Sequence, residues 1–464
     1  MEEMNLRPSF HITGGKGWIN DPNGLIRFGN EYHAFFQYYP DGVRWGPMHW
    51  GHVVSDDLLH WRRLPIALYP GDEGDRSGCF SGSAIESDGK LYLVYTGYTE
   101  EDGTIKQVQC LASSDDGITF VKHGVIIGEK ELPDKYDARD FRDPKVWKRG
   151  ETFYCITAAK RKGGNGRVLL FKSKDLFHWE FACDIFKQDS KGYMIECPDF
   201  IDRLNLITLC EQGQPREGYT HLNIHSTRWY YGHFDYLSDT FTYQSKGIID
   251  YGFDFYAPQT FQNENVLIGW MNMWDRNNPS EKYGFAGMLT IPRRIEMIDG
   301  ELFQTPIVHG KLVNRKRDFS HLEDRLKIGY LKLDIEGLND LSIRLRKKED
   351  QETRFYLKDD EWIFDRSKSG EKIFGVEKDE DSLLEIRRMP LKRRDKCGIV
   401  IVSDEFSVEI FVDGRALTST IYPDRDACNL IIDCNCSKIA YGNYEFEKGE
   451  KSNGKKQQKS LRKA

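Results

Sequence analysis

The feature that most limits how this chain can fold is a phrase that returns at a constant interval. Residues 55–61 (SDDLLHW) and 173–179 (SKDLFHW) match closely, and a weaker copy lies midway at residues 114–120 (SDDGITF). The copies begin 59 residues apart, and a degenerate fourth copy begins at Ser238. A fixed interval of this length is typical of a repeated structural unit.

A second phrase alternates with the first: a turn followed by an alternating, aromatic-rich segment. The turns are Gly29-Asn30, Asp88-Gly89, Arg149-Gly150, Asp202-Arg203 and Asn263-Glu264, at intervals of 59, 61, 53 and 61 residues. Asn, Asp and Gly tolerate the positive φ angles of tight hairpins. The segments after the turns are rich in Tyr, Phe, Val and Ile, which favour strands. Five copies of an all-β unit of about 60 residues predict a five-bladed β-propeller.

The repeat stops near residue 310, and the rest of the chain has a different pattern. Residues 310–326 are strongly charged, whereas residues 397–417 again alternate as strands do. We therefore predict an all-β chain with a propeller over residues 1–312, a linker or short helix over 313–324, and a β-sandwich over 325–447. Residues 448–464 hold seven Lys or Arg against one Glu, which favours a disordered, solvated tail over a nucleic-acid contact.

Acidic residues recur at one phase of the repeat. Asp143, Glu196 and Tyr256 precede their turns by 6, 6 and 7 residues, and Asp21 precedes its turn by 8. Equivalent positions in a propeller face its central channel, so three carboxylates are expected to meet there. Glycoside hydrolysis uses such a set, with one carboxylate as nucleophile or base and one as acid. Taken singly, however, Asp21 and Asp143 also fit ordinary Asp-Pro turns, and Arg142 beside Asp143 fits a plain ion pair.

Charge and cysteine usage exclude several other classes of protein. The net charge of −7 gives no general attraction to nucleic acid or to anionic membranes, and no apolar run approaches the length of a membrane span. The polar N-terminus does not resemble a signal peptide, which predicts a cytoplasmic protein. The ten cysteines lack zinc-site spacing, and no HExxH, phosphate loop or calcium loop is present. We therefore expect no metal and no cofactor. Aromatic residues make up 13%, which fits either sugar stacking or a strand-rich core.

Four motifs, residues 18–24 (WINDPNG), 80–83 (FSGS), 141–144 (FRDP) and 196–198 (ECP), resemble those of glycoside hydrolase family 32. Residues 45–52 (WGPMHWGH) are most similar to its bacterial sucrose-cleaving members, and residues 407–414 (SVEIFVDG) resemble its C-terminal sandwich. The resemblance covers nearly the whole chain. Ile19 is the one departure, because Met or Leu is commoner at that position.

The resemblance implies a retaining hydrolase that releases a terminal, non-reducing β-D-fructofuranose from sucrose or sucrose 6-phosphate. Asp21 is implied as the nucleophile, Glu196 as the acid and then the base, and Asp143 as the stabiliser of the oxocarbenium-like transition state. Retention predicts that Asp21 and Glu196 lie about 5–5.5 Å apart. Crowding of like charges is expected to keep the acid protonated near neutral pH. The implied pocket residues are Asn20, Gln37, Trp45, Phe80, Ser81, Arg142, Trp270, Trp50 and Tyr256.

Several alternatives remain open from the sequence. A fructan exo-hydrolase such as an inulinase or levanase, or a fructosyltransferase, would use the same carboxylates with a different partner across the bond. The absence of a secretion signal disfavours polymer digestion. A related five-bladed family cleaves arabinans, usually by inversion, and a catalytically inactive sugar-binding propeller is the more distant alternative. Arg276 and Lys282 are candidates for contacting a leaving-group phosphate.

Overall fold

The computed structural model describes residues 6–186, 192–376 and 384–447 and is built almost entirely of strands. The predicted tail at 448–464 lies outside these residues. Within the described ranges, no helix has the length and apolar run needed to cross a bilayer. Two short 3-10 helices, Asp202–Leu204 and Pro279–Tyr283, interrupt the strands of the first domain.

Five antiparallel sheets form the first part of the chain. Their strands are β1 (Gly17–Phe28), β2 (Glu31–Tyr39), β3 (His49–Ser55), β4 (Arg62–Arg63), β5 (Gly78–Ser87), β6 (Lys90–Glu101), β7 (Thr104–Ser114), β8 (Val121–Ile127), β9 (Tyr136–Arg149), β10 (Thr152–Arg161), β11 (Gly166–Ser173), β12 (Trp179–Asp184), β13 (Met194–Ile201), β14 (Leu206–Gln212), β15 (His225–Asp235), β16 (Thr240–Ile248), β17 (Tyr256–Thr260), β18 (Val266–Met271), β19 (Phe285–Ala286), β20 (Met288–Leu289), β21 (Arg293–Ile298) and β22 (Glu301–Pro306).

These sheets are the five blades of a propeller, as predicted. Blade I is β1-β2-β3-β4, blade II is β5-β6-β7-β8, blade III is β9-β10-β11-β12, blade IV is β13-β14-β15-β16 and blade V is β17-β18-β21-β22. Consecutive strands pair because tight turns join them. Asp88 and Gly89, for example, have φ angles of 53° and 75°, the positive values that a two-residue hairpin turn requires.

The repeated phrase that begins at Ser55 and Ser173 forms the same turn in blades I and III. One carboxylate oxygen of Asp57 accepts hydrogen bonds from the N–H groups of Leu59 and His60, at 2.9 and 2.8 Å. Asp175 makes the equivalent pair of bonds in blade III, at 2.9 and 2.8 Å. The phrase is therefore an Asx turn. Asp57, His60 and His309 are near enough to share a metal ion, but the contact between Asp57 and His60 recurs in blade III, so the turn itself accounts for it.

The ring closes through a short parallel pairing between its two ends. β19 lies beside β1, with Gly17 opposite Phe285 and Trp18 opposite Ala286. Trp18 also contacts Trp270 edge-on, with ring centroids 5.8 Å apart. Blade V is thereby attached to blade I, and the propeller has no free inner edge at this joint.

The second domain is a β-sandwich of two six-stranded sheets, as predicted. One sheet has the order β23-β34-β25-β30-β31-β32 and the other β24-β33-β26-β27-β28-β29. A single apolar core lies between the two sheets. Its strands are β23 (Gly310–Arg317), β24 (His321–Arg325), β25 (Gly329–Glu336), β26 (Asp340–Lys348), β27 (Gln351–Lys358), β28 (Glu361–Lys368), β29 (Ile386–Pro390), β30 (Lys396–Asp404), β31 (Ser407–Val412), β32 (Arg415–Thr420), β33 (Asn429–Asn435) and β34 (Lys438–Phe446).

The linker expected over residues 313–324 is instead part of the sandwich. β23 pairs with β34, and β24 pairs with β33, at the edges of the two sheets. Their side chains are mostly exposed, because an edge strand of this kind has little core to cover. The prediction of a linker or short helix was wrong because charged, exposed edge strands lack the apolar alternation of half-buried ones.

Buried charges join the sandwich to the propeller. His11 lies between Asp404 and Glu409, with its ring nitrogens 2.8 and 3.0 Å from their oxygens. Arg293 bridges Glu409 of the sandwich to Asp250 of the propeller, at 2.7 and 2.8 Å. All of these side chains are at most 1% exposed. The two domains therefore share one buried polar interface rather than meeting through a flexible connection.

Candidate active site

The innermost strand of each blade is irregular at the same phase of the repeat. Register shifts interrupt β1 next to Asp21, β5 next to Ser81, β9 next to Asp143, β13 next to Glu196 and β17 next to Tyr256. A β-bulge bends a strand and redirects its side chains. Five bulges around one axis therefore turn side chains toward a common space.

Three of these bulges place a non-glycine residue in the left-handed region directly before a proline. Asp143, Cys197 and Ala257 have φ angles of 66°, 46° and 46°. Such residues cost about 1–3 kcal/mol each and persist only where the surrounding structure imposes them. Their recurrence in blades III, IV and V indicates that the geometry of this end of the channel has been retained at the expense of stability.

Asp21, Asp143 and Glu196 line one open cavity of about 550 Å³. This volume lies within the range of about 300–1,000 Å³ that is usual for small-molecule sites. The three carboxylates come from blades I, III and IV, so distant parts of the chain converge here. The sequence-based expectation that these residues meet matches their positions in the structure.

Asp21 is held by two neighbouring donors. The Ser81 hydroxyl donates to Asp21 Oδ2 at 2.6 Å, and the Asn20 amide donates to Oδ1 at 3.1 Å. The Trp18 indole N–H donates in turn to the Asn20 oxygen at 2.8 Å, which fixes the orientation of the amide. Burial raises the pKa of Asp21, whereas these hydrogen bonds oppose the rise. The result is a fixed carboxylate with few rotational alternatives.

Asp143 is the carboxyl group that most favours a proton in the ligand-free site. Burial, together with the charges of Glu196 and Asp21, raises the pKa of Asp143 to about 7, against the opposing effect of Arg142. The backbone N–H of Cys197 donates to its Oδ2 at 2.9 Å. The Cys197 sulfur lies 3.4 Å from Asp21 Oδ2 and 3.6 Å from Asp143 Oδ2, between the two carboxyl groups.

Glu196 has the opposite tendency. Burial alone would raise the pKa of Glu196, but Arg142 and the Tyr256 hydroxyl lower it. Arg142 donates to Oε1 through Nη2 at 2.9 Å and Nε at 3.2 Å, and Tyr256 donates to Oε2 at 2.6 Å. The expectation that crowding keeps Glu196 protonated therefore does not hold in the ligand-free site. The proton is favoured on Asp143, because Arg142 faces Glu196 more directly.

The comparison with known families decides what kind of site this is. The model described as "Glycosyl hydrolases family 32 N-terminal domain" matches residues 11–306, and "Glycosyl hydrolases family 32 C terminal" matches residues 312–437.

The chain belongs to glycoside hydrolase family 32.

Individual family 32 proteins match along most of their length. A sucrose-6-phosphate hydrolase of Zymomonas mobilis subsp. mobilis is 36% identical, with 90% of this chain and 88% of the relative covered. A raffinose invertase of Escherichia coli is 35% identical, with 91% of each chain covered. The structure of a Bombyx mori GH32 beta-fructofuranosidase in complex with sucrose superimposes with a TM-score of 0.83 at 30% identity, covering 95% of this chain and 94% of that chain.

Six of the pocket residues expected from the family 32 resemblance line the cavity, and three do not. The residues at the wall are Asn20, Gln37, Trp45, Phe80, Ser81 and Arg142. Trp50 and Trp270 are wholly buried behind it, so the prediction that they line the pocket was wrong. Trp50 donates to the Phe80 carbonyl at 2.9 Å and supports the wall from behind. Tyr256 is also buried and reaches the site only through its hydrogen bond to Glu196.

Other lining residues were missed by the sequence analysis. They are Tyr98, Ile105, Gln107, Arg139, Asp140, Tyr193, Gln212, His225, Trp274 and Asp275. Trp274 lies four residues after Trp270, beyond the end of β18, where a side chain is free to face the cavity. Asp140 could have been found from its spacing, because it pairs with Arg142 across one residue, at 3.1 Å.

The two candidates for a phosphate contact lie elsewhere. Arg276 is buried at the domain interface, where it donates to Asp254 at 3.0 Å. Lys282 pairs with Glu371 of the sandwich. Neither residue lines the cavity, so these two interpretations were wrong. Both basic side chains serve contacts between the domains.

Proposed function

We propose that this chain is a retaining β-fructofuranosidase that releases a terminal, non-reducing β-D-fructofuranose from sucrose or sucrose 6-phosphate. The observation that carries the proposal is the convergence of Asp21, Asp143 and Glu196 in one cavity of a family 32 propeller. The names of the relatives support a sucrose-type substrate, including a hydrolase of phosphorylated sucrose and an invertase of raffinose.

Asp21 is proposed as the nucleophile. Its carboxylate attacks the anomeric carbon of fructose, the bond to the leaving oxygen breaks, and a fructosyl–enzyme ester forms. Hydrogen bonds from Ser81 and Asn20 hold the attacking group in one orientation, which reduces the entropy lost on reaching the transition state. Water then attacks the ester carbon and frees Asp21 again, so the configuration is retained overall.

Glu196 is proposed as the acid that protonates the leaving oxygen and then as the base that deprotonates water. The ligand-free site favours the proton on Asp143, so substrate binding must move it. Fructose hydroxyls that donate to Asp143 would stabilise its ionised form. The new negative charge beside Glu196 would raise the proton affinity of Glu196. Because coupled groups share their protons, the acid becomes charged with its proton as the substrate arrives.

The reaction as proposed uses only groups of the chain, sugar and water. An oxocarbenium-like transition state needs nearby negative charge, which Asp143 supplies once it is ionised. General acid catalysis by Glu196 contributes about 10²–10⁴ in rate. The exposed Trp45 and the half-exposed Phe80, 5.9 Å apart by ring centroids, provide an apolar face for the sugar.

A cytoplasmic location is part of the proposal. All ten cysteines are free thiols in the structure, as expected in a reducing compartment. Cell fractionation of the native host tests the location: recovery of the protein in the periplasmic or extracellular fraction would contradict it.

A side-by-side kinetic comparison tests the substrate class. Purified protein is assayed for fructose release from sucrose, sucrose 6-phosphate, inulin and levan, with Asp21→Ala as the inactive control. We expect turnover of the two sucrose-type substrates and little on the polymers. NMR of the first-formed anomer should detect β-fructofuranose. An initial α-anomer would contradict retention, and a preference for either polymer would replace the proposed substrate.

A further inference from the structure

A second layer of polar side chains lies directly below the three carboxylates. Each innermost strand contributes one inward-facing residue, two to four positions after its cavity residue. All of them are at most 3% exposed. They are Asn23, Ser83, Lys145, Asp199 and Thr260.

One ion pair dominates this layer. Lys145 Nζ lies 2.7 Å from Asp199 Oδ1 and donates to the Thr260 carbonyl at 3.2 Å. Asp199 Oδ2 accepts hydrogen bonds from the Thr260 N–H and hydroxyl, at 2.5 and 2.8 Å. Blades III, IV and V are therefore joined on the channel axis by one lysine, one aspartate and one threonine.

The pair is also attached to the proposed catalytic groups by very short stretches of chain. Lys145 follows Asp143 by two residues and Asp199 follows Glu196 by three, with a bulge inside each stretch. The contact between Lys145 and Asp199 thus fixes the distance between the two bulges. We infer that Lys145 and Asp199 are a positioning pair, which sets the separation and the charge balance of Asp143 and Glu196.

Stability alone is a weak reason to retain such a pair. A buried ion pair is often no more stabilising than apolar residues of the same shape, because both charges lose their hydration. The pair does offer the site a base without net charge. Removing one partner leaves a single uncompensated charge about 6–7 Å along the strand from the carboxyl layer. Its sign depends on which partner is removed.

The other charged or titratable groups that influence Glu196 stay unchanged in such an experiment. They are Arg142 and Asp143 on β9, Asp21 on β1, Cys210 on β14, His225 on β15, Tyr256 on β17 and the preceding Tyr193. The Lys145–Asp199 pair can therefore be tested as an added or removed charge against a constant background.

The inference rests on the proposed function and is tested by the pH dependence of kcat/KM on sucrose. With Asp199→Asn, the unpaired Lys145 charge should move the alkaline limb of the profile to lower pH by about one unit. With Lys145→Met, the unpaired Asp199 charge should move that limb to higher pH. The double variant Lys145→Met/Asp199→Asn should restore the limb but keep kcat at least tenfold below wild type, because the spacing of the bulges is lost.

The control is Lys172→Met, which breaks the 2.6 Å ion pair between Lys172 and Asp239 on the outer strands of blades III and IV. Its pH profile should match wild type. Folded single variants with unshifted limbs, or limbs shifted in the same direction, would overturn the inference.

If neither single variant folds, the double variant decides: a lowered kcat supports the inference and wild-type kcat overturns it. Failure of the wild-type protein to cleave sucrose or its phosphate would instead refute the proposed function.

Discussion

The buried His11 predicts how the stability of the whole chain depends on alkaline pH. Burial opposes a charge on this imidazole, but its hydrogen bonds and charge interactions with Asp404 and Glu409 raise its pKa from 6.5 to about 9. The folded protein therefore holds a proton that the unfolded chain releases near pH 6.5. Raising the pH removes this proton from the interface between the propeller and the sandwich.

The size of the effect follows from the shift. Each pKa unit corresponds to 1.36 kcal/mol, so a rise from 6.5 to about 9 contributes about 3 kcal/mol to the free energy of unfolding. This contribution is fully present below pH 6.5. It declines as the pH rises toward 9, because the folded state then binds more protons than the unfolded state, and it is lost above pH 9.

Urea unfolding of wild type and His11→Gln from pH 6 to pH 10, followed by tryptophan fluorescence with a reductant present, measures the contribution. Gln keeps polar contacts but cannot take the charge. We expect wild type to be about 3 kcal/mol more stable than the variant at pH 6 relative to the difference at pH 10. A stability difference that stays constant across this range would refute the reasoning, since it would mean that His11 carries no extra proton in the folded state.

The remaining predictions concern the cavity. Asp21→Ala should abolish turnover of every substrate, because no fructosyl–enzyme ester can form; mass spectrometry of substrate-treated protein should detect no adduct. Glu196→Ala should regain its first step with a leaving group that departs without a proton, and azide should accelerate the second step; a uniform loss with all leaving groups would contradict its role as acid. Asp143→Asn should lose about 10³ in kcat, or about 4 kcal/mol, and the loss should persist with good leaving groups; near-normal turnover of a folded variant would exclude it as the stabilising charge. Tyr256→Phe should raise the pKa of Glu196 by removing a hydrogen bond to its carboxylate, so the alkaline limb of kcat/KM should move to higher pH, and an unmoved limb would contradict this contact.

The sequence predicts the blades because repetition carries information that single residues lack. Asp21, Asp143 and Glu196 are far apart in the chain, yet their constant distance from a hairpin turn is enough to assign them to equivalent strands. The same phase also contains Ser81, which donates to Asp21 in the structure. For this site, the periodicity predicted both the fold and the meeting of side chains.

What the sequence does not contain is the direction of a side chain within a strand that is buried on both faces. Trp50 and Trp270 were expected at the pocket wall, but each lies on a strand whose flanking residues are also buried, so alternation gave no sign of which face meets the cavity. The protonation of Asp143 rather than Glu196 is a similar case. It depends on where the Arg142 guanidinium points, and adjacency to Asp143 in the chain suggested the wrong partner.

The parallel pairing of β19 with β1 has a consequence for how the protein is made. Residue 17 leaves the ribosome early, but its partner at residue 285 is added only after more than half of the 464 residues have been translated. Blades I to IV can form one after another during synthesis, since each is a run of consecutive hairpins. The ring cannot close until the last blade emerges. Nascent chains stalled before this point should hold β1 unpaired at its inner edge, which makes the early blades the natural clients of chaperones and the source of aggregates when translation is interrupted.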